Sequence, residues 1–221
     1  METRLTATAT TAVTPDPPIE TPVPTPTPTP TPEPDYCRKP EEDYTLVQHY
    51  GFLLNRRTLS MLEYAAELYS GEIDVAGAAI TQGSYTDAVS ASFGTHAGGG
   101  AVDLSVIQPG TWKVLYAEIE PLVLALRQAG FAAWLRDLDE LYPGSPIHIH
   151  AIAIGDRHLS PAAENQLTGA SGYFRGYDGL PRENGIPVAD RHGGPIICDW
   201  MLEVGYADLR STLTPEPVTQ D

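Results

Sequence analysis

The chain has 221 residues, with 29 Asp and Glu against 13 Lys and Arg, a formal net charge of −16, and 21 Pro beside 20 Gly. This length holds one domain, two at most. No basic patch is present to neutralise phosphates, which argues against a protein that grips nucleic acid, and no apolar run approaches the roughly 20 residues needed to cross a bilayer.

The averages describe two different objects, because ten of the prolines fall before residue 36. From Pro22 to Pro32 every second residue is Pro and nearly all the others are Thr. Residues 1–36 lack the apolar side chains that offset chain entropy and read as a disordered tail. Alternating Pro favours an extended, semi-rigid spacer, and the Thr/Pro composition resembles secreted stalks. Arg4 is not followed by the apolar stretch of a signal peptide. The stalk composition still favours an exported protein, extracellular or in the cell envelope. Residues 37–212 read as one domain with a sizeable core, and 213–221 as a second disordered tail. Cys37 and Cys198 bracket the domain. They either pair, tying its two ends together, or remain two thiols. Neither has the close spacing of a Cys zinc site.

Within the domain, Met61, Leu62, Ala65, Ala66, Leu68 and Tyr69 fall near one helical stripe. The spacing predicts a helix over 57–69, stopped by Gly71. Residues 78–80 read as a short buried strand and 82–100 as a Gly/Ser/Thr-rich loop. An alternating strand is predicted over 101–106. A helix follows over 115–129 despite Pro121, with Gly130 as its C-terminal signal. Residues 131–135 and 147–154 read as two more strands. Ser160-Pro161 opens another helix, with Ser as N-cap and Pro at the first helical position. Residues 172–199 show no period and read as an ordered covering loop. This order predicts an α+β fold, a small antiparallel sheet with helices packed on it.

Three of the six histidines stand in two unusual contexts. Between His96 and Asp103 lie three consecutive glycines, which permit a tight turn and a close backbone approach. On a strand, Val102, Leu104 and Val106 face a core while Ala101, Asp103 and Ser105 face the other way. In Ile147-His148-Ile149-His150 the β-branched residues favour a strand, which puts both imidazoles on one face. His96, Asp103 and His150 together offer two nitrogens and one oxygen. Such a three-ligand set with an open fourth position is the pattern of catalytic zinc. His148 then stands beside the metal as a base or charge stabiliser.

At these residues the sequence resembles the zinc peptidases that include D-Ala-D-Ala carboxypeptidases and dipeptidases, lysostaphin-type endopeptidases and the hedgehog signalling domain. His96, Gly99, Ala101 and Asp103 match the carboxypeptidase pattern, and Gly94 stands where that pattern has Ser. His148-Ile149-His150 matches the group's His-x-His, whose last member is usually the ligand. The resemblance spans about residues 57–155. It implies a hedgehog/D-Ala-D-Ala peptidase-like fold, a Zn2+ cofactor, and hydrolysis of peptide bonds in peptidoglycan by a monomer. It also marks Ser84 and Tyr85 as substrate-binding positions.

Two departures accompany it. Ile147 occupies the position of the group's acidic general base, which leaves His148, as in the lysostaphin branch, with Asp137, Asp139 or Glu140 as loop acids in reserve. Thr86 occupies the position of the Arg that grips a substrate carboxylate, a role left to Arg56, Arg57 or Arg175. The alternative to a hydrolase is a non-catalytic binding module of the same fold that keeps its zinc. A metal-free structural or adhesive domain is the third reading. His49, His158 and His192 carry no assigned role. Trp134 reads as core, and Tyr173, Phe174 and Tyr177 as cleft wall or plain packing.

Overall fold

A computed structural model describes residues 36–210; the Pro/Thr-rich segment and the C-terminal tail lie outside the described residues. The elements in chain order are β1 (Leu46–His49), β2 (Phe52–Asn55), α1 (Arg56–Leu68), β3 (Ile80–Gln82), β4 (Ala101–Ser105), α2 (Tyr116–Gln128), β5 (Phe131–Arg136), β6 (His148–Ala153), α3 (Pro161–Thr168) and α4 (Asp199–Glu203). The expected α+β class holds. β1 and β2 form a hairpin, and the other four strands form an antiparallel sheet in the order β3-β4-β6-β5.

Local chemistry explains most boundaries. Asn55 caps α1 by accepting from Thr58 N, and Ser160 caps α3 by accepting from Ala163 N, with Pro161 at the first turn. Gly130 follows α2 with φ +98°, a left-handed position that glycine takes without steric cost. Pro121 is tolerated inside α2 because it sits on the exposed face, where water satisfies the freed carbonyl.

Three expectations need correction. The short strand predicted at 78–80 begins only at Ile80. Asp74 holds the preceding residues in a turn, its side chain accepting from Ala78 N and its carbonyl from Gly77 N and Ala79 N. The β1–β2 hairpin was not predicted. Its two-residue turn is Tyr50-Gly51, with φ of 49° and 87°, the positive pair that hairpin turns require. The segment read as a covering loop up to residue 199 gives way to α4 at Asp199, after one short turn at Tyr173–Arg175.

Both faces of the four-stranded sheet are covered. Val102, Leu104, Ile149, Ala151 and Ala133 pack beneath α1 and α2. On the opposite face, Ala101, Ile152, Ala132 and Trp134 pack against Ala163, Leu167, Tyr173 and Phe174. That second face is therefore not a polar face in solvent. It is apolar at one end and carries Asp103, His148 and His150 at the other, all buried. Cys37 and Cys198 are joined by a disulfide with Cα atoms 5.5 Å apart, which settles the open pairing.

Candidate metal centre

Register brings the chemistry together. Asp103 on β4 stands directly opposite His150 on β6, and Ser105 opposite His148. On the other side of β6, Trp134 pairs with His150 and Arg136 with His148. One row across the sheet thus reads Asp103–His150–Trp134, and the next Ser105–His148–Arg136. His96 arrives from a single helical turn, Thr95–Ala97, just before the glycines. The glycine run does what the sequence predicts. A Cβ on Gly98 would lie 2.2 Å from His158 O and 2.5 Å from Ser160 N, so only hydrogen fits against that backbone. Gly99 N donates to His158 O at 2.7 Å, fastening the loop that carries His96.

Each imidazole is held by one nitrogen and turns the other toward Asp103. His96 Nδ1–H donates to Gly83 O at 2.8 Å, and His148 Nδ1–H to Pro146 O at 2.8 Å. His150 Nδ1–H donates to Asp103 Oδ1 at 2.7 Å, and its Nε2 lies 3.1 Å from Gln166 Oε1. The facing nitrogens lie at 3.3 Å (His96 Nε2), 2.7 Å (His150 Nδ1) and 3.8 Å (His148 Nε2) from the Asp103 carboxylate. For His96 and His148 a donor bond on the far nitrogen points a lone pair inward, as outer partners do for metal-ligating histidines. His96 Nε2 is buried and no hydrogen-bond partner reaches it.

The electrostatics suit a site that can take a cation. Burial pulls His150 down to about 4, against the opposing pull of Asp103, so the ring is neutral at pH 7. Burial raises Asp103, but the hydrogen bond from His150 and the adjacent His96 ring outweigh it and hold the carboxyl well below its ordinary range. His150 Nδ1 hydrogen-bonds this carboxylate, whereas His96 Nε2 is buried beside it without a hydrogen-bond partner, an arrangement that a cation between them would relieve. The candidate ligand atoms of His96, Asp103 and His150 lie within 4.8 Å of one another. The 3.3 Å from His96 Nε2 to Asp103 Oδ1 is about the edge of a tetrahedron with ~2.0–2.1 Å bonds. The buried His96/Asp103/His150 group can hold a metal ion.

The group lies on the floor of a cavity of about 340 Å³ that His148 also lines, with Val89, Phe93, Leu141 and Tyr142 among its apolar walls. Trp134 backs His150 with its ring nearly parallel, centroids 6.1 Å apart, and Tyr173 stands edge-on to Trp134. Trp134 is core, as predicted, and also walls the site.

The predicted ligands and His148 are brought together; Ser84 and Tyr85 are not. Ser84 Oγ donates to Ala101 O inside the structure. Tyr85 OH joins Asn55 and His158 Nδ1 on the far side of the glycine run, and neither residue lines the cavity. Arg56 is exposed, Arg57 donates to Ile154 O, and Arg175 donates to Gly169 O; none of the three borders the cavity. The loop acids are spent elsewhere. Asp139 accepts from Gly144 N and Glu140 from Asp137 N, while Asp137 pairs with Arg191. Ile147 borders the cavity and packs into the core under α1 and α2.

Sequence reasoning did not single out Gln166 and Arg136, both at the cavity. For Arg136 the signal was available. Ala132, Trp134 and Arg136 alternate onto one face, but the strand was expected to end at Leu135. Comparison with protein-family models, with curated proteins and with solved structures returns no match. The reading of the site rests on its own geometry.

Proposed function

We propose that the protein is a zinc-dependent hydrolase of amide bonds, acting on peptides of the peptidoglycan type. The observation that carries this reading is the convergence of three histidine nitrogens, those of His96 and His148 freed by a hydrogen bond on the ring's far side, upon one buried carboxylate at a cavity floor. Two imidazoles and one carboxylate with a position left for substrate suit catalytic zinc better than a closed structural site. A zinc ion held by His96, Asp103 and His150 would supply Lewis acidity toward a carbonyl oxygen and would lower the pKa of a water to about 7.

The chain's own residues divide the remaining work. Gly83 O, Gln166 and Asp103 hold the ligand rings in place. Trp134 covers His150 and keeps water from its face. His148 is the more open imidazole and lines the cavity. Its Nε2 takes a proton from the attacking water and returns it to the leaving amine, while Pro146 O keeps the ring oriented. The Cys37–Cys198 disulfide and the Thr/Pro stalk support an oxidising, extracellular or envelope location. No described helix is long and apolar enough to cross a membrane.

One observation favours a second reading, a zinc-keeping binding module without catalysis. Among the described residues that line the cavity, Asp103 is the only carboxylate, so no second acid assists His148. Incubating the purified chain with peptidoglycan-derived peptides separates the two. Release of new amino termini that stops on chelation supports the hydrolase, and stoichiometric zinc without cleavage supports the module.

A further inference from the structure

The cavity wall holds a second buried group without a partner. Arg136 closes β5 one register row from the candidate metal ligands, beside His148, and is only 2% exposed. Its Nη1 donates to Asp178 O at 2.8 Å, and its guanidinium lies 5.2 Å from the Trp134 ring centroid. Nη2 is buried and has no hydrogen-bond partner. No carboxylate comes within ion-pair distance of Arg136 among the described residues. The nearest acids are engaged by another cation, since Arg182 pairs with both Asp178 and Glu140. Burial pulls the guanidinium down only to about 10, so it stays charged at neutral pH.

The contrast with Arg127, equally buried, is instructive. Arg127 donates to Ala133 O, His192 O and Gly194 O and pairs with Asp190. Arg57 also keeps a buried nitrogen without a partner, but it lies away from the cavity, whereas Arg136 lines it. A buried charge without its counter-ion is costly, and the cost is relieved when an anion arrives. Thr86, where the resemblance places an arginine, does not border the cavity, whereas Arg136 does.

We infer that Arg136 is the specificity-determining residue of the cavity, its free Nη2 receiving a carboxylate of the bound peptide. The inference deepens the hydrolase reading, on which its choice of a peptide ligand rests, by naming the substrate class as peptides bearing a carboxylate near the bond that faces Asp103 and His150. The carboxylate belongs either to the peptide's C-terminus or to an acidic side chain.

Calorimetric titration of the purified full chain tests it with three probes: N-acetyl-dialanine, its C-terminal amide, and N-acetyl-glutamate α-amide, which keeps only the side-chain carboxylate. At least one carboxylate probe is expected to bind about tenfold or more tightly than the neutral amide. Whichever probe gains identifies the carboxylate's source. The gain disappears in Arg136→Gln and persists in part in Arg136→Lys, which keeps the charge and carries the comparison if the Gln variant does not fold. Repeating the titration after chelator treatment separates Arg136 from the metal. A preference that survives chelation and depends on Arg136 supports the inference even where no zinc is found, in which case the hydrolase reading alone falls. Equal binding of acid and amide, absence of binding by either carboxylate probe, or a preference unchanged in Arg136→Gln overturns it.

Discussion

Trp134 lies nearly parallel to His150, 11° between the rings, and the two are direct cross-strand neighbours on β5 and β6. The indole thereby closes one side of the imidazole that faces Asp103. Trp134 is fixed in turn by its Nε1 hydrogen bond to Tyr177 O and by the edge of Tyr173. The apolar wall and the polar site are therefore one packing unit, and weakening the wall reaches the site.

Tyr173 gives that unit a pH signature. Burial pushes its phenol up to about 12 from an ordinary 10.0. The unfolded chain loses this proton first, so the stabilisation is complete below pH 10 and is lost as pH rises toward 12. The loss amounts to up to about 2–3 kcal/mol. Denaturant titrations across this window are expected to show the decline, and Tyr173→Phe to make it smaller, the remainder coming from the Tyr69 and Tyr206 phenols that burial also raises. A decline of equal size in the Phe variant contradicts the assignment.

On the proposed function, His148 serves proton transfer rather than structure. His148→Ala is expected to keep bound zinc and thermal stability close to wild type. Its rate of peptide cleavage should fall by about 10²–10⁴-fold. Steady-state kinetics with parallel metal analysis checks this, and unchanged cleavage would remove His148 from the mechanism.

Gly98 is predicted to be irreplaceable for a geometric reason. The added methyl of Gly98→Ala meets the backbone of 158–160, which cannot swing aside as a flexible side chain does. A cost of roughly 2 kcal/mol or more is expected, together with weaker zinc binding because the loop carries His96. Gly144→Ala serves as a comparison, since its Cβ meets nothing within 4 Å although its φ is positive.

The Cys37–Cys198 bond closes a separation of 161 residues, which restricts the unfolded chain strongly. Replacing both cysteines by Ser is expected to lower stability by roughly 2–5 kcal/mol. Reductant should lower the wild-type unfolding midpoint and leave the double variant unmoved.

Periodicity made the sheet and the main helices legible, because a buried sheet between helices forces alternation in 101–105 and 148–153 and a stripe in α1. It also turned Asp103 away from the core-facing residues of its strand and put His148 and His150 together on one face of theirs. The β1–β2 hairpin escaped because its signal is a two-residue turn with only four residues on each side. The shared face was taken as polar because strand alternation cannot show what later segments cover, and Tyr173 and Phe174 cover it from far along the chain. Ser84 and Tyr85 were placed at the site by resemblance alone, and the glycine run turns Tyr85 OH toward Asn55 and His158 instead. Arg136 was missed because a strand end is where pattern reasoning is weakest.

Metal analysis of the full chain, purified without chelator, tests the central claim most directly. Stoichiometric zinc is predicted, lost in His96→Ala and in Asp103→Asn. Zinc added back to chelator-treated protein at about 100 times its Kd should stabilise the fold by ~2.7 kcal/mol. Protein that carries no metal, and whose thermal unfolding is unmoved by added zinc, would contradict the account.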